Sequence, residues 1–243
     1  YKKDFHITVT TNGTLIKGQT AKQLAKLNKL GLNFSIDGLE KSHDAIRGRG
    51  TFNSVIDAVR EIRYHEKKMD LLPKYMNINC IINKLNHHEL ISLIELAKDV
   101  GMTGIQFLHL FDNRNKESLW IPKDKLHELE ENIHKLMTYI QNDNSGFAYT
   151  NSLNDISNMV RYYKGEKIVG SQVCYNGFKE MLINSDGKAI ICDGNLDFIK
   201  DNYGDIRKNT LKEIWHSPKA RKLRRKVIGC KRSCLQDCYQ RRS

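Results

Sequence analysis

Cysteine residues concentrate near the C-terminus, where five of the six lie at or after position 174. Thiolates grouped in this way bind zinc or iron–sulfur clusters in proteins of reducing compartments. A disulfide framework is the alternative, but this chain is large, rich in lysine and without a visible signal sequence. Cys80, the sixth cysteine, stands alone in an apolar run and is interpreted as a small buried hydrophobic residue. The five predicted metal ligands are Cys174, Cys192, Cys230, Cys234 and Cys238.

The spacing of these cysteines limits how they can share one metal centre. Cys174 and Cys192 flank Ser185-Asp186-Gly187, a hairpin turn sequence, so one β-ribbon can present both. If the segment with the last three cysteines were helical, its ends would be about 12 Å apart along the axis, too far for one compact cluster. Either two of the three bind and one is spare, or the segment is a loop. Zinc is the alternative occupant, although its usual Cys-x2-Cys spacing is absent.

Length and composition indicate a globular chain with room for one mid-sized domain and a smaller one. The chain has 243 residues, of which 40% are apolar. No run approaches the roughly 18 apolar residues of a membrane span, and we expect a cytoplasmic location. The chain opens with Tyr rather than Met and enters a predicted strand at residue 5, so we expect a fragment of a longer protein.

The net charge of +12 is unevenly distributed. Positions 219–243 contain ten Lys or Arg and one Asp, which leaves a charge of +3 for the rest of the chain. A basic, solvated tail is the simpler interpretation, because Tyr239 is the one aromatic residue there that could stack on bases. We therefore expect neither nucleic acid nor a membrane as a partner. The basic run 221–226 could offset thiolate charge or bind an acidic leader peptide.

Strand-like runs alternate with amphipathic helical runs from the N-terminus to Leu110, which predicts βα units on a parallel sheet. Periodicity does not distinguish a barrel from a doubly wound sheet. After residue 165 the pattern changes to a β-hairpin and two short helices, which places a domain boundary there. The predicted strands cover residues 5–10, 32–36, 75–82, 105–110, 179–184 and 188–192, and the predicted helices cover 20–30, a segment beginning at 51, 86–100, 122–140, 153–163, 210–215 and 217–227.

Polar residues and glycines follow several of the predicted strands. In parallel βα folds, functional groups lie in the loops after the carboxyl ends of strands. That rule selects Asn12-Gly13, Asp37-Gly38, Asn83 and residues 109–112 as places where a ligand could be met. Asn-Gly and Asp-Gly are also common turn pairs, so ordinary turn chemistry is the alternative.

Short motifs near the N-terminus occur in an order and spacing that resemble one enzyme family. They are VTTNGTL at 9–15, FSIDGL at 34–39, HDAIRG at 43–48 and GTF at 50–52. Together they resemble the third and fourth βα units of radical S-adenosylmethionine (SAM) enzymes with a SPASM or twitch extension. The C-terminal part resembles that extension through Cys174, Gly187 with Cys192 five residues later, GDI at 204–206, LKEIW at 211–215 and the cysteine group.

The resemblance implies an α/β fold in two domains. Residues 1–165 would be the C-terminal portion of a partial (β/α)6 TIM-like barrel, with its third to sixth strands. Residues 166–243 would be a small cysteine-rich α+β domain of SPASM/twitch type. That domain would hold one auxiliary [4Fe–4S] cluster rather than two, because only Cys-x3-Cys-x3-Cys remains of the full SPASM pattern.

The resemblance also implies which residues would meet the cofactor. Ser35 and Arg47 would contact SAM, with Arg47 pairing the SAM carboxylate. A guanidinium suits that task, because it can bind a carboxylate with two parallel hydrogen bonds. Asn12 and Asp37 would line the SAM or substrate pocket, and Asp37 is also the candidate catalytic carboxylate.

The family binds its SAM-cleaving [4Fe–4S] cluster with Cys-x3-Cys-x2-Cys, which this sequence lacks, so we expect the chain alone not to cleave SAM. In the complete protein, a 5′-deoxyadenosyl radical would abstract hydrogen from the substrate, and an external electron donor would be required. The favoured function is that of a radical SAM oxidoreductase or maturase that modifies a peptide or protein. The alternatives are dehydrogenation of a small sugar-like metabolite and a non-catalytic, zinc-stapled basic binding module.

Overall fold

The computed structural model describes residues 5–111, 119–166, 168, 174, 176–192, 201–228, 230 and 235. The chain divides into two compact units, Tyr1–Gly165 and Glu166–Ser243. Among the helices in the described ranges, none has the length and apolar character needed to cross a membrane.

A parallel five-stranded sheet forms the centre of the first unit, and the predicted α/β fold is confirmed. The strands follow one another in chain order without a reversal, as in the wall of a barrel, whereas a doubly wound sheet reverses its order. The short fifth strand was not predicted, because two residues carry no detectable periodicity. The strands are β1 (Ile7–Thr11), β2 (Leu30–Ser35), β3 (Met76–Ile82), β4 (Gly104–His109) and β5 (Ala148–Tyr149).

Helices connect these strands at most of the predicted positions. The helix predicted over 20–30 is wrong at its C-terminal end, because Leu30 already pairs with Ile7 in the sheet. The helix predicted from residue 86 begins later, because Asn86 accepts a hydrogen bond from the backbone of Asn83 in a preceding turn. The helices are α1 (Gln19–Ala25), α2 (Glu40–Arg47), α3 (Thr51–Lys68), α4 (Leu90–Asp99), α5 (Leu126–Asn142, preceded by a 3-10 turn at Lys123–Lys125) and α6 (Leu153–Tyr163).

The two faces of the sheet differ in polarity. Parallel partners in register point to the same side, and successive residues of a strand alternate between sides. One side carries fully buried apolar side chains such as Phe34, Ile78 and Phe107. The other side carries half-buried polar side chains, which form a row at the carboxyl half of the sheet: Asn33, Ser35, Asn79 and Gln106.

The second unit contains, in its described part, a three-stranded antiparallel sheet with two helices. The predicted hairpin is confirmed: β6 (Leu182–Ile183) pairs with β7 (Lys188–Ile190), and Gly187 in the turn adopts φ 76°. The third strand, β8 (Asn202–Asp205), pairs with β7 and was not predicted. Helix α7 (Leu211–His216) begins with a capping box between Thr210 and Glu213, and α8 (Pro218–Ile228) follows it.

Candidate functional site

Asp37 and Arg47 form an ion pair at the carboxyl end of β2. Asp37 is 2% exposed, and its Oδ2 lies 2.7 Å from Nε of Arg47, which is 28% exposed. The other carboxylate oxygen of Asp37 accepts a hydrogen bond of 2.8 Å from the backbone N–H of Ile81 in β3. The carboxylate therefore ties the end of β3 to the last residue of α2.

His43 supports this ion pair from inside α2. The backbone N–H of Asp37 donates to Nδ1 of His43 at 3.1 Å, so this nitrogen carries no proton. Burial lowers the pKa of His43, and the positive charge of Arg47 lowers it further, while Asp37 and Asp44 act in the opposite direction. The imidazole is therefore held in its neutral form near neutral pH.

Glu89 fixes the loop between β2 and α2. Its carboxylate accepts hydrogen bonds from the backbone N–H of Leu39 at 2.9 Å and from the hydroxyl of Ser42 at 2.8 Å. A Cβ at Gly38, where φ is 113°, would lie 2.6 Å from the same carboxylate. The glycine of the Asp-Gly pair is thus required both by its backbone conformation and by the close approach of Glu89.

The terminal nitrogens of Arg47 have no hydrogen-bond partner among the described residues, since the structure gives its side chain one bond, from Nε to Asp37. A guanidinium oriented through Nε presents its outer edge as a fork that matches a carboxylate. The arrangement can bind an anionic group at the carboxyl end of the sheet.

Ser35 and Asn12 lie near that end of the sheet. Ser35 is half-buried at the end of β2, where it pairs in register with Asn79. Asn12 follows β1 directly, is exposed, and accepts hydrogen bonds from the N–H and hydroxyl of Thr14. Since Thr11 pairs with Phe34, Asn12 stands one register step further, level with Ser35. Their contact with a cofactor stays a prediction.

The other predicted strand-end positions have structural partners. Asn83 is buried and accepts from the backbone N–H of Leu85. His109 is buried within an aromatic group, with ring centroids 4.6 Å from Tyr162 and 5.1 Å from Phe111. Residue 112 lies outside the described residues.

Sequence reasoning missed two polar residues of the sheet, Asn79 and Gln106. Both are half-buried in the row that contains Ser35, although neither stands at a strand end. The signal is present as alternation of polar and apolar residues in NFS at 33–35, NIN at 77–79 and IQF at 105–107. A parallel strand covered by helices on both sides would be apolar throughout, so such alternation indicates a polar-lined side.

Three of the five predicted metal ligands lie in the described part of the second unit and pack against one apolar core. Cys174, Cys192 and Cys230 all contact a group of buried residues. That group consists of Ala189, Ile191, Tyr203, Ile214, Ala220, Leu223 and Val227. Cys234 and Cys238 lie outside the described residues. The structure thus brings the hairpin cysteines and the first C-terminal cysteine to the same apolar core.

The three described thiols interact electrostatically. Burial raises the pKa of Cys174, the backbone N–H of Asn176 opposes this by donating to the sulfur, and the thiols of Cys192 and Cys230 raise it further. None of the three forms a disulfide with another described cysteine. Within the described ranges, no group of three or more His, Cys, Asp or Glu residues is already placed to hold a metal ion.

The donor chemistry fits an iron–sulfur cluster. Three half-buried thiols from separate segments pack against one core, and clusters require converging thiolates, usually four. One further ligand from Cys234 or Cys238 would complete the set.

Comparison with known protein families gives one match in this region. The SPASM family, described as an iron–sulfur cluster-binding domain, matches residues 174–239. Among curated proteins, GTP 3′,8-cyclase of Campylobacter jejuni subsp. doylei is 32% identical over 114 residues, which cover 46% of this chain and 33% of that protein. The chain spans 33 to 40% of the length of the curated cyclases that it matches.

Solved structures share the fold. Native anSMEcpe with bound AdoMet superposes with a TM-score of 0.63 at 21% identity, covering 92% of this chain and 60% of that one. Streptococcus suis SuiB bound to its precursor peptide SuiA gives a TM-score of 0.62 at 19% identity, covering 89% of this chain and 49% of that one. The resemblance to radical SAM enzymes with a SPASM domain is thereby confirmed. The SPASM region begins at Cys174 and includes the three described thiols of the second unit.

Proposed function

We propose that this chain is part of a radical SAM enzyme whose SPASM domain holds one auxiliary [4Fe–4S] cluster. The observation that carries the proposal is the approach of Cys174, Cys192 and Cys230 to a single core inside the segment that matches the iron–sulfur family. Together with Cys234 or Cys238, they would hold the cluster. The remaining cysteine of that pair would be spare.

Bound SAM would supply, after one-electron reduction from an external donor, a 5′-deoxyadenosyl radical that removes a hydrogen atom from the substrate. The first unit of this chain would contribute positioning. Arg47 would bind the SAM carboxylate through its outer nitrogens, while Ser35 and Asn12 would hydrogen-bond polar groups of the ligand. The sequence contains no Cys-x3-Cys-x2-Cys motif, so the cluster that cleaves SAM would require residues outside it.

The substrate that we propose is a peptide or protein. Support comes from the structural neighbours, since SuiB is seen with its precursor peptide SuiA and anSMEcpe with the Cp18Cys peptide. The half-buried polar side of the sheet, with Asn79 and Gln106, offers donors and acceptors suited to backbone amides. A small-molecule substrate is the second candidate, and the sequence similarity to GTP 3′,8-cyclases favours it.

Metal and sulfide analysis tests the iron–sulfur part of the proposal. After anaerobic reconstitution, the purified protein should contain iron and acid-labile sulfide in nearly equal amounts. Cys192→Ala should lose most of both, because it removes one of the converging thiolates. Cys80→Ala is the matched control and should retain both, because Cys80 is buried in β3 of the other unit.

Two other outcomes of the metal analysis would contradict the proposal. Zinc bound in stoichiometric amount, without sulfide, would replace the proposal with the zinc-stapled binding module. Equal iron content in the Cys192→Ala and Cys80→Ala proteins would remove the described thiols from the ligand set.

A further inference from the structure

Three polar side chains in the core of the second unit have buried atoms without hydrogen-bond partners among the described residues. They are both side-chain polar atoms of Asn176, the hydroxyl of Tyr203 and one terminal nitrogen, Nη2, of Arg224. Leaving such a group unpaired costs about 1–3 kcal/mol, so native proteins rarely retain several together. These unpaired atoms therefore indicate that a polar or charged partner binds next to them.

These side chains lie at or next to the core against which the three thiols pack. Asn176, which is 1% exposed, lies two residues after Cys174, and its backbone N–H donates to the Cys174 sulfur. Tyr203 belongs to the core against which the described thiols pack. Arg224 is joined to the residue after Asn176 by a hydrogen bond to the backbone oxygen of Gly177. Burial raises the pKa of Tyr203, and the positive charge of Arg224 lowers it against that effect.

Arg224 is held in place by uncharged contacts. Its Nε donates to the backbone oxygen of Gly177 at 2.5 Å, which connects α8 to the segment that follows Cys174. Its guanidinium carbon lies 4.2 Å from the centroid of the Trp215 ring. No ion pair joins Arg224 to any carboxylate in the described ranges. A fixed guanidinium with a buried nitrogen and no counter-ion favours an anion as its partner.

We propose that Arg224 and Asn176 donate hydrogen bonds to sulfur atoms of the iron–sulfur centre and thereby raise its reduction potential. This inference rests on the proposed function. A cluster with four thiolate ligands is negatively charged, and each reduction adds one electron from the external donor without forming or breaking a bond. A nearby cation and N–H donors stabilise the more negative, reduced form more strongly.

An anaerobic redox titration of the holoprotein, followed by electron paramagnetic resonance, tests the inference. Arg224→Gln should shift the midpoint potential of the auxiliary centre to lower values with unchanged iron content. Arg225→Gln is the matched control, because Arg225 is the next residue of α8, is exposed and loses the same charge. It should leave the potential unchanged. Arg224→Lys keeps the charge but loses the fork, so its potential should lie between those of wild type and Arg224→Gln.

Equal potentials in wild type and Arg224→Gln, or equal shifts in Arg224→Gln and Arg225→Gln, would overturn the inference. If Arg224→Gln does not bind iron and sulfide, Arg224→Lys and Asn176→Leu replace it in the comparison with wild type. Each should lower the midpoint potential of the auxiliary centre, and unchanged potentials in both would overturn the inference. A wild-type protein without iron and sulfide would instead refute the proposed function. The two failures are therefore distinguishable.

Discussion

Asp37 accepts hydrogen bonds at both carboxylate oxygens, from Arg47 and from the backbone of Ile81. Both oxygens of this carboxylate are therefore engaged by groups of the protein itself. The geometry favours a positioning role, in which Asp37 orients the guanidinium of Arg47 and leaves its outer edge without a hydrogen-bond partner among the described residues. Direct contact of Asp37 with a cofactor stays a prediction.

Arg47→Ala should weaken SAM binding by about tenfold to a hundredfold, because a charged hydrogen-bonded pair contributes about 1.5–3 kcal/mol. Isothermal titration calorimetry of the reconstituted enzyme measures the effect. Arg49→Ala is the control: Arg49 is exposed two residues further along, and its loss should not change the affinity. Asp37→Asn should also weaken binding, since Arg47 would lose its fixed orientation. Equal affinities for Arg47→Ala and Arg49→Ala would remove Arg47 from the site.

Helix α2 shows how an element unrecognised in the sequence organises the site. Its eight residues carry His43 and Arg47 four positions apart, on neighbouring turns of one face. Asp44 accepts from the backbone N–H groups of Gly50 and Phe52, which fixes the start of α3 relative to α2. The HDAIRG motif therefore has a local reason: one residue supports the loop, one caps the next helix and one forms the ion pair at the end of β2.

Stability should depend on pH through His43. Its pKa is lowered in the folded protein, chiefly by burial, whereas the unfolded chain retains the ordinary value of 6.5. The unfolded state therefore binds more protons below about pH 6.5, and the stabilisation present above that pH is lost as the pH falls toward the folded pKa. His43→Asn, which keeps an acceptor for the Asp37 N–H, should show a weaker loss of unfolding free energy between about pH 7.5 and 5.5.

Chemical denaturation at several pH values measures this difference. His134→Asn serves as the control, because His134 is exposed on α5, and it should keep the wild-type pH dependence. The same pH dependence in wild type and His43→Asn would show that another group is responsible.

At the scale of the whole molecule, the two units differ in how much apolar core supports them. The first unit buries a five-stranded sheet beneath helices. The second unit, Glu166–Ser243, is much shorter, and its described strands contain two, three and four residues. A core of this size supplies little stability alone, and small domains often depend on a bound metal centre.

Removal of iron should therefore loosen the second unit selectively. Hydrogen–deuterium exchange should become faster at backbone amides of β7, β8 and α8 after anaerobic chelation, because binding to the folded state alone stabilises it. Amides of β3 and β4 should be unaffected and provide the internal control. Unchanged exchange in the second unit would mean that its apolar core is sufficient by itself.

The sequence by itself determined the order of elements in the long, periodic segments and the hairpin around Gly187, and it supplied the cysteines that we propose as metal ligands. These features depend on local patterns: alternation, turn residues and cysteine spacing. It overextended the helix after β1 and missed α2, β5 and β8, because strand pairing and capping by distant residues decide such boundaries.

The tertiary structure alone decided which polar groups meet. Asp37 and Arg47 are ten residues apart in the sequence, yet Asp37 also accepts a hydrogen bond from Ile81 in the next strand, and distant Glu89 holds the loop between them. Likewise, the buried Nη2 of Arg224 and the buried amide of Asn176 become informative only because the fold buries them without a hydrogen-bond partner among the described residues. Burial and long-range pairing are properties of the packed chain, so no local pattern in the sequence can reveal them.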